Sequence, residues 1–383
     1  MDLIDKTTAA FKTDLSAQTD HLRFFRAPGR VNIIGEHTDY NDGFVLPVAI
    51  NFDTVVAARP RADSQVRVFA VDEGSGDQFD LQQPIAPQLD KVWANYVRGM
   101  AKMLLAEGKK LSGVEMTIAG NVPRSGGLSS SASLEMALGH MFLSLSDEPI
   151  DPVALALTGQ KTENQFVGVN CGIMDQFIAS LGQANHAVLI DCRSLSYTPT
   201  PIPADTAIVV VDSGINRGLV DSEYNQRRQE CETAARHFGL KALRDLDIAT
   251  LQNRADELEP IVFRRARHVI TENDRTLAAA QMLNHGQMAE LGPLMAQSHQ
   301  SMRADFEITV PGIDKLVEIL QAVPNIYGAR MTGGGFGGCC IALAPVAVAP
   351  EVQAAVETHY QAETGYQPTV YTCLAADGAG EIT

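Results

Sequence analysis

Alternating apolar and polar positions mark strands along this chain, and a helical spacing of apolar residues marks the segments between them. Val114, Met116 and Ile118 alternate with Glu115 and Thr117, which predicts a half-buried strand, whereas Leu134, Leu138, Phe142 and Leu145 recur at helical spacing. Further strands are predicted at Val31 to Ile34, Val66 to Val71, His186 to Ile190, Ile208 to Val211 and Cys339 to Leu343, separated by helical stretches and Gly/Pro turns. The mixture predicts an α+β chain. Its 383 residues suggest two domains, at about 150 residues per domain. Pro199, Pro201 and Pro203 cannot continue a helix or donate to a central ladder, so they mark the predicted linker between an N-terminal domain, 1–198, and a C-terminal domain, 204–383. No repeat at a solenoid period is visible.

Composition narrows the class. Apolar residues make up 45% and charged residues 20%, which fits neither a coiled coil nor a disordered chain. Forty-six acidic against 30 basic residues give a formal charge of −16, which argues against nucleic acid or an anionic membrane as a partner. The opening MDLIDKTTAAFKTDL has no basic segment followed by an apolar run, and no stretch is apolar enough to span a bilayer, so a cytoplasmic protein is expected. Six scattered cysteines without a C-x-x-C pair suit reduced, mostly buried thiols better than a disulfide scaffold or a zinc site.

Four stretches carry more polar residues and glycines than a core or a plain loop requires. In RAPGRVNIIGEHTDYNDG, from Arg26 to Gly43, a short apolar strand delivers Glu36, His37 and Asp39 in close succession. Several acceptors beside one switchable donor suit the vicinal hydroxyls of a sugar, although a solvated turn between two strands explains the same residues. His37 and Asp39 lack further spaced ligands for a metal site. In PRSGGLSSSA, from Pro123 to Ala132, small residues follow a strand and precede an amphipathic helix. Inward amide hydrogens and a helix N-terminus can cradle phosphates there. A turn with a serine cap accounts for one serine, not three.

The third stretch runs from Glu163 to Gly182. Asp175 sits off the apolar stripe of Ile173, Phe177, Ile178 and Leu181, in a predicted first helical turn; taken alone it fits a capping charge as well as a base, and Glu163 fits a solvated glutamate. The fourth, MTGGGFGGCC from Met331 to Cys340, satisfies G-x-G-x-x-G through Gly333, Gly335 and Gly338. It leads into a predicted strand near the C-terminus, not from a first strand into a helix, so a nicotinamide dehydrogenase is disfavoured. Cys339 and Cys340 are predicted as core of that strand, and Trp93, the only tryptophan, as packing in preference to an adenine platform.

In this order the stretches resemble the galactokinases, of the galactokinase, homoserine kinase, mevalonate kinase and phosphomevalonate kinase (GHMP kinase) superfamily. Arg30 to Asp39 (RVNIIGEHTD) resembles the galactokinase signature, Gly127 to Ala132 (GLSSSA) the superfamily's phosphate loop, and Gly333 to Cys339 (GGGFGGC) its third motif. Gly172 to Gln176 (GIMDQ) and Ser222 to Asn225 (SEYN) are similar to galactokinase segments. The second and third motifs specify only the superfamily, whereas the first points to the sugar.

The resemblance implies a two-domain fold, an N-terminal domain like domain 2 of ribosomal protein S5 and an α+β C-terminal domain, with the active site in the cleft between them. It implies transfer of the ATP γ-phosphoryl group to the C1 hydroxyl of α-D-galactose, the entry step of the Leloir pathway of galactose metabolism, by a monomer with Mg²⁺. Glu36, His37, Thr38, Asp39, Gly172 and Tyr224 would bind the sugar. Ser125, Gly126, Gly127, Leu128, Ser129, Ser130 and Ser131 would wrap the triphosphate, with Ser131 and Glu163 on the metal. Asp175 would be the base and Arg30 the cation that stabilises the transition state, roles that phosphoryl transfer asks of a protein. Ser125 stands where the family usually has glycine, which implies a slightly shifted loop. The alternatives are a kinase for N-acetylgalactosamine or arabinose, and a galactose- and ATP-binding regulator without activity; an intact GLSSSA and Asp175 weigh against the regulator.

Overall fold

A computed structural model of the chain describes residues 2–123, 127–216 and 220–382. Among them, thirteen strands form three sheets. In chain order the strands are β1 (Arg23–Asn32), β2 (Phe44–Val45), β3 (Pro47–Pro60), β4 (Gln65–Ala70), β5 (Ser75–Asp80), β6 (Val114–Gly120) and β7 (His186–Asp191). They continue with β8 (Tyr197–Pro201), β9 (Thr206–Asp212), β10 (Gly328–Thr332), β11 (Cys339–Pro345), β12 (Thr369–Cys373) and β13 (Gly380–Ile382).

The first sheet runs β13-β1-β3-β6-β4-β5, with β4 and β6 parallel and every other pair antiparallel. The strand predicted from Val114, Met116 and Ile118 is β6, an inner strand that is buried on both faces and not half-buried as its alternation predicts. Glu115 is buried because it pairs with Arg59 and Arg61, and the Thr117 hydroxyl donates to the Thr7 carbonyl of the N-terminal helix Leu3–Ala10. The polar half of the alternation is thus paired, not solvated. On the opposite face the helices Val92–Ala106, Ser130–Leu145, Pro152–Thr162 and Met174–Leu181 share a core with the sheet. Leu138 and Phe142 are fully buried within it, as their spacing predicts.

The second sheet, β10-β11-β9-β12, is antiparallel and packs on the helices Pro260–Asn284, Pro311–Gln321 and Ala349–Thr364. Cys339 and Cys340 are fully buried in β11, which is an inner strand of this sheet. Four of the six cysteines are buried, and all six are free thiols.

Two departures from the sequence reading concern the junction. The proline run is part of an edge strand: β8 pairs with β7, setting Pro199 opposite Val188 and Pro201 opposite His186, in the small sheet β2-β7-β8. An edge tolerates the missing N–H groups that a central strand does not. The chain end also returns to the first sheet, where β13 pairs with β1 through Phe24 and Ile382. A third core cluster joins residues from both halves, among them Ile33, Leu46 and Val48 with Val210, Ile341 and Leu283. Side chains of this kind contribute about 1.5–3 kcal/mol each when fully buried, so the halves are held together as well as hydrogen-bonded.

Candidate active site

The predicted strand at Val31 to Ile34 is the end of β1. Beyond Asn32 the chain bends, although the Ile33 amide still donates to the Leu46 carbonyl and the Leu46 amide to the Ile34 carbonyl. The β1–β3 register shifts between Pro28 and Arg30, and a local irregularity of this type re-aims a side chain. Arg30 itself stays paired with Ala49 in the sheet, and its side chain lines a cavity of about 400 Å³.

Arg30 and Asp175, 145 positions apart, meet there in a bidentate pair. Nε donates to Oδ1 at 2.8 Å and Nη2 to Oδ2 at 2.6 Å, while Nη1 donates to the Gly127 carbonyl at 2.7 Å. Such a fork fixes both planes. Asp175 stands in the first turn of Met174–Leu181, off the buried face of that helix, as its position in the apolar pattern predicts. The Ser129 hydroxyl also donates to Asp175 Oδ2. Ser129 is the residue before the helix Ser130–Leu145, in the left-handed region at φ 61°, and its side chain caps nothing. The serine that a capping reading would assign to the helix is therefore committed to the carboxylate.

The sugar-signature turn lies on one side of this pair. Glu36 is tied at both oxygens: Oε1 accepts from the Gly333 amide at 2.9 Å and Oε2 from Asn32 at 3.0 Å, with Arg330 3.3 Å from Oε1. His37 is neutral, because burial and then His268 push its pKa down to about 3. Its Nε2 faces the Gly334 carbonyl at 3.4 Å and its Nδ1 faces the Tyr40 hydroxyl at 2.7 Å, which assigns the proton to Nε2. Asp39 is pushed up to about 6 by burial and next by the charge of Asp175. The Asp39 carboxylate lies directly over Gly172, where an added Cβ would stand 1.7 Å from Oδ2. Only glycine fits there. Tyr224, from the helix Val220–His237, closes this side against His37 and Tyr40 with ring centroids 5.1 and 5.3 Å away.

On the other side are Gly127, Leu128, Ser129, Ser130 and Ser131, at the N-terminus of a 16-residue helix. Glu163, at a wide helical turn after Pro152–Thr162, accepts from Gln176 and hydrogen-bonds Ser131. Burial raises its pKa, the hydrogen bonds oppose this, and the charge of Asp175 adds to the rise. A carboxylate that gains from a neighbouring cation, beside a hydroxyl and a phosphate-sized space, is a hard-oxygen donor set suited to Mg²⁺.

Of the residues singled out in the sequence, Arg30, Glu36, His37, Asp39, Glu163, Gly172, Asp175 and Tyr224 line one cavity with Gly127 to Ser131. Thr38 does not. It is fully buried beneath the turn, its hydroxyl donating to the Gly35 and Phe44 carbonyls. Ser125 and Gly126 lie outside the described residues. Gly333 and Gly334 of the third motif reach the cavity, and the glycine run joins β10 to β11 as an antiparallel hairpin with no helix after it. Four of its five glycines have positive φ.

Sequence reasoning missed a second cavity, of about 300 Å³, that shares Ser130 and Ser131 with the first and is walled by Trp93, Tyr96, Ile118, Val122 and Leu134. Trp93, read as packing, also packs partly on the core and donates to Ser75. No periodicity announces such a wall, because its residues come from two helices, a strand and a loop.

Three family models match the chain: the galactokinase galactose-binding signature over residues 9–60, the GHMP kinase N-terminal domain over 95–183 and the GHMP kinase C-terminal region over 278–362. The fold is similar to that of a Methanococcus jannaschii mevalonate kinase, at 16% identity and TM-score 0.66 over 92% of this chain and 98% of that one. A Streptococcus pneumoniae phosphomevalonate kinase matches at 14% identity and TM-score 0.62 over 91% and 99%. Lactococcus lactis galactokinase, in complex with galactose, matches at 34% identity and TM-score 0.94 over the whole of both chains. With that full-length likeness, and with the galactose-binding signature falling on the turn that lines the cavity, the chain belongs to the galactokinase family of GHMP kinases.

Proposed function

We propose that this protein phosphorylates galactose: it transfers the ATP γ-phosphoryl group to the C1 hydroxyl of α-D-galactose and releases galactose 1-phosphate and ADP. The observation that carries the reading is the Arg30–Asp175 fork at the junction of a polar, carboxylate-rich subsite and a loop of small residues at a helix N-terminus. The galactose-binding signature over residues 9–60 and the likeness to a galactokinase complexed with galactose support the choice of sugar.

In this reading Asp39, Glu36, His37, Gly172 and Tyr224 surround the sugar, and the triphosphate lies along Gly127 to Ser131. The adenine occupies the Trp93 cavity, which opens from the same serines. Asp175 Oδ2 already accepts two hydrogen bonds, from Arg30 and Ser129, whereas Oδ1 accepts one. The free lone pair on Oδ1 takes the C1 hydroxyl proton as that oxygen bonds to the γ-phosphorus and the bond from phosphorus to the bridging oxygen of ADP breaks. Arg30 sits beside the transferring oxygens and compensates their charge. Ser131 and Glu163 would hold Mg²⁺, which neutralises phosphate charge when bound.

The reading takes 1–198 and 204–383 as the two domains, with β13 added to the first, and a monomer working in the cytoplasm. It is supported by a cavity lined from both halves of a single chain. Among the described residues, no helix is long and apolar enough to cross a membrane. A coupled assay with ATP, Mg²⁺ and a sugar panel tests the reaction. The expected result is a specificity constant for galactose far above those for glucose, N-acetylgalactosamine and arabinose. Preference for another sugar overturns the assignment, and absence of any sugar phosphate makes the protein a non-catalytic binder.

A further inference from the structure

The turn that presents Glu36, His37 and Asp39 is conformationally expensive. Gly35 and His37 have φ of 101° and 62°. Backbone of this kind persists only where its surroundings over-determine it. The turn supplies part of that constraint itself, since the Asn41 and Gly43 amides donate to the Thr38 carbonyl.

The rest comes from a helix of the other half, Pro260–Asn284. Glu272 Oε1 accepts from the Gly35 amide at 3.0 Å and the Glu36 amide at 3.4 Å. One turn earlier, His268 Nε2 faces the Glu36 carbonyl at 3.1 Å, and Asn273 Oδ1 accepts from the Phe44 amide at 2.9 Å. The backbone is thus gripped at both ends of the turn by three side chains from one helix face. Glu272 is itself fixed, with the Ser298 hydroxyl 2.6 Å from Oε1 and Arg275 Nε 2.8 Å from Oε2. Arg330 stands between it and Glu36, 3.9 Å from Glu272 and 3.3 Å from Glu36. A ring contact runs in parallel: His268 packs on Phe306 at 4.4 Å, and Phe306 on His37 at 4.8 Å.

Glu272, His268 and Arg330 are fully buried. Burial alone opposes the charge on Glu272, but Arg275 and Arg330 outweigh it and hold the carboxyl at about 2. Buried ion networks seldom add stability over apolar packing of the same volume. What this one provides is a fixed set of acceptors at the turn.

We propose that Glu272, together with His268 and Asn273, acts as a positioning residue for the sugar: from outside the cavity it holds the backbone from Gly35 to Phe44 in the shape that aims Glu36, His37 and Asp39 at the substrate. The inference rests on the reading of this turn as the sugar subsite. It makes galactose affinity a property of how the two halves dock, because the grip crosses between them.

The test is Glu272→Gln, with galactose affinity measured by calorimetry and steady-state kinetics run well below the melting temperature. The variant keeps the shape and one acceptor oxygen but loses the charge that the amides and Arg275 face. The expected result is a rise of about tenfold or more in Kd and KM for galactose, with KM for ATP within about twofold of wild type, as for one lost hydrogen bond to a charged group. A lower melting temperature with unchanged galactose affinity overturns the proposal. Should that variant not fold, Asn273 decides: Asn273→Asp, which keeps Oδ1, should bind galactose like wild type, whereas Asn273→Leu should weaken it several-fold. Equal affinity in both Asn273 variants overturns the proposal. A wild-type protein that neither binds nor phosphorylates galactose removes the sugar reading itself, so the two failures are distinguishable.

Discussion

The two ends of the active cavity are built on different principles. At the sugar end nearly every functional group is already committed: Glu36 is bonded at both oxygens, His37 at both ring nitrogens, and Asp39 rests on Gly172. Residues from both halves hold it. At the phosphate end the lining is glycine, leucine and serine, strapped to β1 by the Arg30 amide on the Leu128 carbonyl and the Arg30 guanidinium on Gly127. Vicinal hydroxyls are directional and must be met by fixed acceptors, whereas a triphosphate is mainly charge and is served by amide hydrogens and a helix end. Errors at the sugar end should therefore spread to affinity and stability together, and errors at the nucleotide end should stay local.

The largest effects belong where the ends meet. Asp175→Asn is nearly isosteric and removes the proton acceptor; kcat should fall by about 10²- to 10⁴-fold, and the melting temperature should drop because the buried Arg30 loses its counter-charge. Arg30→Ala should also lower kcat by orders of magnitude, with a smaller loss of stability, since Asp175 is 28% exposed and keeps the Ser129 hydroxyl. Near-wild-type turnover in either variant removes that residue from the mechanism. Next is Gly172→Ala. A Cβ 1.7 Å from Asp39 Oδ2 forces the carboxylate away, so galactose KM should rise by about a hundredfold while KM for ATP is preserved. A parallel loss of ATP affinity would mean that the two ends are not separable.

The sequence made one end more legible than the other, and the reason is local. RVNIIGEHTD and GLSSSA are contiguous, and contiguous residues state their chemistry in order; the pairing of Arg30 with Asp175 came only from the resemblance to the galactokinases, since no spacing rule brings the two together. The strands at 186–190, 208–211 and 339–343 were visible because buried β-branched runs have a short period. Four features were not visible. Pro199 and Pro201 read as a break because proline's meaning depends on whether its strand lies at an edge. β13 is three residues long, too short for any pattern. Glu272 and Asn273 looked like ordinary polar positions of a long helix, since what they contact is more than 200 positions away. That Trp93 and Tyr96 share a cavity wall was hidden for a similar reason, as such a wall is assembled in three dimensions.

Asp39 sharpens the contrast through pH. Its carboxyl is pushed from 3.8 up to about 6, so the folded protein binds that proton more tightly than the unfolded chain does. The corresponding stability is present below about pH 4 and is lost as pH rises through 6, on the order of 2 kcal/mol by linkage. Asp39→Asn should thus melt higher than wild type at pH 8, and the difference should vanish toward pH 4. Its galactose KM should nevertheless rise by some tens of fold, because an acceptor oxygen is lost. In the wild type, galactose KM should climb as pH falls below about 6. A flat KM profile from pH 5 to 8 would show that the ionised carboxylate does not hold the sugar.

The smallest effect tests the nucleotide end. Trp93 packs partly on the core and lines the second cavity, and its indole N–H is fixed on Ser75. Stacking of a base on an aromatic ring contributes about 1–3 kcal/mol, and the low end applies to a partly exposed tryptophan. Trp93→Ala should raise KM for ATP by about tenfold, and Trp93→Phe should restore most of the loss. Galactose Kd should be unchanged in both, because among the described residues Trp93 bonds to Ser75, whereas the rings packed on His37 are Tyr40, Tyr224 and Phe306. If Trp93→Ala weakened galactose as much as ATP, the nucleotide end would be coupled to the sugar end through the helix Ser130–Leu145, and the division of labour between committed side chains and a permissive loop would fail.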